Sequence, residues 1–127
     1  MSGEMTVDNT VITGARFEPS VIQATPDADG KVNVKSDLIP AWYKPNGSSG
    51  GYGVYTLNLT SSGDVGVSST TDILPEGVTY IKPGEKLTLQ NVVFSTDTSY
   101  PVQFYLDKKD YGHGPQEIRI TATIESV

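Results

Sequence analysis

The chain has 127 residues, 36% of them hydrophobic and 19% charged, with nine basic against fifteen acidic residues and no cysteine. That length fits a single domain, spanning residues 1–127, able to bury roughly two-thirds of the surface its unfolded chain exposes. The missing thiols exclude a disulfide framework, a thiolate metal site and a cysteine nucleophile, and the net charge of −6 argues against nucleic acid as a partner.

The opening Met1-Ser2-Gly3-Glu4-Met5-Thr6 offers neither a basic nor an apolar leader region, so no secretory signal is expected in this sequence. No run approaches the ~18 consecutive apolar residues of a membrane span, so membrane insertion is not expected. Residues 6–16 are rich in β-branched types (Val7, Thr10, Val11, Ile12, Thr13), and Phe17 to Ile22 continue the run past a bend at Pro19. Pro26-Asp27-Ala28-Asp29-Gly30 reads as a turn, because Asp-Gly tolerates the positive φ of a tight hairpin. Lys31-Val32-Asn33-Val34-Lys35 then alternates strictly, the period of a strand with one face buried and one wet.

Pro40-Ala41-Trp42-Tyr43-Lys44-Pro45 leads into Asn46-Gly47-Ser48-Ser49-Gly50-Gly51, a long loop by composition. The next strand sets Tyr55, Leu57 and Leu59 on one face, Ser61-Ser62-Gly63-Asp64 turns the chain, and Val65 and Val67 begin a strand expected to extend toward Ile73-Leu74. After Val78-Thr79-Tyr80-Ile81, Lys82-Pro83-Gly84-Glu85 carries the type II turn pattern, with Pro supplying φ near −65° and Gly supplying φ > 0. Leu87 to Phe94 contains no Gly or Pro, so a helix is weighed there, but the Leu87/Leu89 pair and the β-branched run favour a strand. Pro101 to Leu106 alternates again, residues 107–115 read as a polar loop, and Ile118-Arg119-Ile120-Thr121-Ala122-Thr123-Ile124 closes the series.

Seven to nine short strands with turn signals about every ten residues predict an all-β fold, a single antiparallel β-sandwich of immunoglobulin-like or jelly-roll type. The run Ile81-Lys82-Pro83-Gly84-Glu85-Lys86-Leu87-Thr88-Leu89 resembles the Pro-Gly-Glu turn of immunoglobulin-like modules, which supports the architecture and carries no function.

Catalytic chemistry is poorly provisioned. The single histidine, His113, sits between Gly112 and Gly114, whereas a catalytic base needs an orienting partner. Most carboxylates fall in turns, and no spacing marks a glycosidase pair. Asp27-Ala28-Asp29-Gly30 has alternate aspartates but lacks the further oxygens and distal Glu of an EF-hand, so a plain turn is the preferred reading and calcium is left open. Asn46-Gly47-Ser48 and Asn58-Leu59-Thr60 match the glycosylation triplet, a pattern common by chance. No cofactor or metal is expected.

The aromatic inventory, seven tyrosines, three phenylalanines and one tryptophan, gives the best lead. Trp42, Tyr43, Tyr52 and Tyr55 crowd the glycine-rich loop, and Trp and Tyr grip sugars and protein partners alike because they combine a large rigid surface with a polar tip. Candidate contact residues are Trp42, Tyr43, Tyr52, Tyr111 and Arg119, the last on the wet face of the final strand. These features predict a non-enzymatic structural protein that docks onto copies of itself or a larger lattice. A virion component is the preferred form, either a phage capsid decoration or a tail-associated protein, homo-oligomeric or lattice-bound in a virion or extracellular assembly. The alternative is a carbohydrate-binding module or lectin-like sandwich, with a subunit of an extracellular appendage or filament as a third form.

Overall fold

The computed structural model describes residues 12–26, 28, 30–40, 52–95, 98–112 and 114–126. Within these residues, alternating runs between Gly, Pro and Asp punctuation form nine antiparallel strands: β1 (Ile12–Glu18), β2 (Val21–Ala24), β3 (Lys31–Pro40), β4 (Tyr52–Ser61), β5 (Val65–Ser69), β6 (Thr79–Ile81), β7 (Lys86–Ser95), β8 (Tyr100–Asp107) and β9 (Gln116–Ser126). A single helical turn, α1 (Lys108–Tyr111), stands in the segment expected to be a polar loop. Asp107 starts it, its carboxylate accepting from Lys109 N at 3.0 Å.

The strands pair in the orders β3-β8-β5-β6 and β2-β9-β4-β7. This is the strand order of a jelly roll, one of the two sandwich types expected. The extra strand, β1, belongs to both sheets. Its first residues pair with β9 (Thr13 opposite Ile124), and after Gly14 it crosses to pair with β3 (Phe17 opposite Leu38), so it closes one side of the sandwich. β5 stops at Ser69, short of its expected extent, and Ile73 and Leu74 enter the core from the connection to β6 instead.

The inner faces carry what the alternation predicts. Phe17, Leu38, Val67, Val102, Phe104 and Leu106 come from one sheet; Ile22, Leu57, Leu59, Phe94, Ile120 and Ile124 come from the other, all fully or almost fully buried. Each such side chain contributes about 1.5–3 kcal/mol when removed from water. Phe94 of β7 meets Tyr100 of β8 edge-to-face at 5.4 Å, tying one sheet to the other, and Phe17 meets Phe104 at 5.1 Å in the same geometry.

β7 is a strand throughout, not a helix, and its interrupted alternation has a local cause. Tyr55 faces Val92 and Leu57 faces Leu89, so Gln90 and Asn91 together oppose Thr56, a β-bulge. Asn91 takes φ 61°, a left-handed conformation that asparagine tolerates. The extra residue flips the phase, so Leu87 and Leu89 point inward before the bulge and Val92 and Phe94 after it. In the β6–β7 connection, which carries the chain from one sheet to the other, Gly84 has φ +83° and Glu85 N donates to Lys82 O at 3.1 Å, the turn expected there.

Tyr111 ties α1 to the β4–β5 turn: its hydroxyl donates to Asp64 O at 2.7 Å while its ring packs against the core. Burial, with the Asp64 and Asp110 charges, pushes the Tyr111 phenol up to about 12 from its ordinary 10.0. The proton is therefore held more tightly folded than unfolded, so stability is intact below pH ~10 and falls as pH rises toward ~12. In Tyr111→Phe that alkaline loss should disappear, with about 1 kcal/mol of stability lost at neutral pH for the missing hydrogen bond. Urea melts at pH 7 and across the alkaline range measure both; an unchanged alkaline slope would refute the assignment.

Candidate functional site

Because Val102, Phe104 and Leu106 of β8 point inward, Gln103, Tyr105 and Asp107 must point out. The same rule puts Asn33, Lys35 and Asp37 of β3, Ser68 of β5, Tyr80 of β6 and Glu18 of β1 on that outer face. Pairing register then arranges them in rows across the sheet. Tyr80, Gly66, Tyr105 and Asn33 form one row, Ser68, Gln103 and Lys35 the next, and Pro101, Asp37 and Glu18 a third.

The middle of this face is a pre-set hydrogen-bond network. Ser68 Oγ lies 3.2 Å from the Tyr105 hydroxyl, which donates to Gln103 Oε1 at 2.9 Å; Asn33 Nδ2 donates to the same oxygen at 2.9 Å. With Gln103 Oε1 accepting twice, its amide orientation is fixed, and its Nε2 protons have no partner among the described residues. Asn33 and Gln103 thus present donors and acceptors in defined directions at the surface.

Tyr80 is 68% exposed. It keeps its place because its strand partner is Gly66: a Cβ there would lie 3.0 Å from Tyr80 Cε1 and 2.7 Å from Val78 Cγ1, so both side chains lean over bare backbone. Lys109 Nζ stands 5.9 Å from the ring centroid, a cation–π contact from α1. Two inter-strand spacings, about 10 Å, separate Tyr80 from Tyr105. Two depressions flank Tyr105. One, of about 660 Å³, is lined by Glu18, Lys35, Asp37, Ser69 and Gln103 among others; the other, of about 230 Å³, by Gly66, Val78, Tyr80, Asp107 and Asp110. In the larger one Lys35 stands with two carboxylates, Asp37 and Glu18, and Arg16 Nε already pairs with Glu18 at 2.9 Å.

The residues singled out from sequence are not gathered here. Trp42 and Tyr43 lie outside the described residues, as do Asp27, Asp29, Asn46 and His113. Tyr52 opens β4 opposite Ser95, while Arg119 is exposed on the other sheet, beside Ser62 past the far end of β4, its backbone N donating to Ser62 Oγ at 2.8 Å. Tyr111 serves the Asp64 contact. Asn58, of the second glycosylation triplet, is buried, and its Nδ2 is committed to Glu125 Oε2 at 2.6 Å. The sequence does not single out Tyr80, Tyr105, Gln103 or Asn33, although the strict alternation of β3 and β8 marks three of them as facing out.

A jelly roll with a polar, tyrosine-flanked outer sheet face is the class that fold and site define. No protein family matches the chain, and no curated protein matches it. Among solved structures, it is similar to CBM29-2, a family 29 carbohydrate binding module, in an aspartate-to-alanine mutant complexed with mannohexaose: 16% identity, 93% of each chain covered, TM-score 0.29. A second aspartate-to-alanine mutant of CBM29-2 gives 18% identity over 88% of this chain and 85% of that one, with a TM-score of 0.26. At that depth of similarity, function rests on the chain's own residues.

Proposed function

We propose that this protein binds carbohydrate, holding a glycan on the outer face of the β6-β5-β8-β3-β1 sheet without cleaving it. The observation that carries the reading is the row Tyr80, Gly66, Tyr105 and Asn33, with Gln103 locked beside it. A sugar ring has an apolar C–H face and a rim of hydroxyls. An exposed tyrosine face suits the first, and fixed amide donors and acceptors suit the second at little ordering cost.

Binding is favoured over hydrolysis by the setting of the nearest carboxylates. Glu18 and Asp37 are cross-strand neighbours, which brings two carboxylates close together, as glycoside hydrolysis requires. A general acid, however, is kept protonated by desolvation, and the Glu18 side chain is 57% exposed and ion-paired with Arg16. Carbohydrate binding, the alternative the sequence offers, is thus preferred to docking on a protein lattice. Attachment to a protein lattice keeps one observation in its favour, the exposed cross-strand pair Val54 and Val93 on the opposite sheet.

Affinity electrophoresis through a panel of soluble polysaccharides tests the proposal. The wild-type chain should be retarded by at least one member, and Gln103→Leu, which keeps bulk but removes the amide, should weaken that binding about fivefold for one lost hydrogen-bonding group. Retardation by no polysaccharide, together with self-association through the Val54/Val93 face, would favour the lattice reading instead.

A further inference from the structure

We infer that the glycan is a neutral, extended chain lying diagonally across the sheet from Tyr80 to Glu18, and neither a single sugar nor a polyanion; this rests on the carbohydrate reading above. The two depressions are not alternatives to one another, because Tyr105 is a wall of both. The smaller reaches from Tyr105 to Tyr80 and Asp110, the larger from Tyr105 to Glu18 and Asp37. A ligand that fills both passes over Tyr105 and runs beside Gln103.

Register gives the span. Tyr80 stands level with Tyr105, and Glu18 level with Pro101, so the ends differ by four strand spacings and a four-residue offset along the strands. That diagonal is roughly 23 Å, the reach of an oligosaccharide and far more than one sugar needs.

Charge decides between neutral and anionic chains. Among the described side chains, the path holds two cations from the sheet, Lys35 and Arg16. Arg16 is already paired with Glu18, and Lys35 shares its depression with Glu18 and Asp37. The other end presents Asp107 and Asp110. A polyuronate or sulfated chain would lay its charges beside four carboxylates on a protein of net charge −6, whereas sugar hydroxyls donate to those carboxylates without charge repulsion. The cation of α1 nearest the path, Lys109, is turned over the Tyr80 ring.

Two measurements on the intact chain test this. In the first, calorimetric titration with neutral glucans, mannans and xylans is set against polygalacturonate and heparin, each at low and high salt. Binding to at least one neutral chain, little changed by salt and at least tenfold tighter than to either polyanion, is the expected result. In the second, a length series of the neutral oligosaccharide should gain affinity with each added sugar until the path is filled, while the monosaccharide fails to compete. Tight, salt-sensitive binding to a polyanion, or full affinity from a monosaccharide, overturns this inference and leaves the carbohydrate reading standing. Binding to no carbohydrate overturns both.

Discussion

Phe94→Ala should cost about 3–5 kcal/mol, a large share of the roughly 5–15 kcal/mol that holds a domain of this size together. Phe94 is fully buried, meets Tyr100 at 5.4 Å and Tyr55 at 6.1 Å, both edge-to-face, and links β7 to the opposite sheet. Truncation removes its transfer energy and leaves a cavity between two sheets whose backbones are held by their own ladders, so collapse is restricted. The Tyr100 hydroxyl, which accepts from Ser95 N at 2.6 Å, fixes the neighbouring ring and resists repacking. Thermal melts should fall by roughly 10–20 °C. The adjacent Val93→Ala, at a side chain 51% exposed, should move stability by no more than about 0.5 kcal/mol. This pair of variants tests the bulge itself. Without the extra residue between Gln90 and Val92 the phase of β7 would reverse, Val93 would be inside, and the two costs would be exchanged.

The contrast explains how far the sequence could be read. Period-two alternation is direct evidence of one buried face, so β3, β4, β8 and β9 were legible with their inward residues. Where backbone geometry breaks the period, the pattern blurs: the two-for-one pairing at Gln90 and Asn91 made Leu87 to Phe94 ambiguous between strand and helix. Long-range choices leave no local trace. Nothing in residues 12–18 says that the strand changes sheets at Gly14, because that depends on β9 and β3 presenting free edges to it.

The site was harder for the same reason. Alternation labels Asn33, Gln103 and Tyr105 as wet, but a wet residue is uninformative until its cross-strand neighbours are known. Asn33, Gly66, Tyr80 and Tyr105 come from four strands and become a row only through register. The crowding of Trp42, Tyr43, Tyr52 and Tyr55 in sequence drew attention toward the glycine-rich loop. In three dimensions Tyr55 packs on Phe94 and against the core, and the aromatic most exposed among the described residues, Tyr80, stands on a three-residue strand.

Tyr80→Ala should weaken glycan binding at least tenfold while leaving stability within about 0.5 kcal/mol of wild type. The two expectations follow from the same fact. A side chain 68% exposed contributes little to the fold, and on the proposed carbohydrate reading its ring, resting on Gly66, forms the end of the binding path. Tyr80→Phe should keep most of the affinity, because the stacking face survives and only the polar tip is lost. Gly66→Ala separates the ring from its seat: the new Cβ meets Val78 Cγ1 at 2.7 Å and Tyr80 Cε1 at 3.0 Å, and both are side-chain atoms able to swing outward. The strand should therefore persist while the ring tilts away from the sheet, and binding should fall several-fold with Tyr105, Gln103 and Asn33 untouched. Calorimetric titration of the three variants against one neutral oligosaccharide ranks them. Equal affinities for wild type and Tyr80→Ala, in a chain that still binds through Gln103, would remove Tyr80 from the path and shorten the site to the depression between Tyr105 and Glu18.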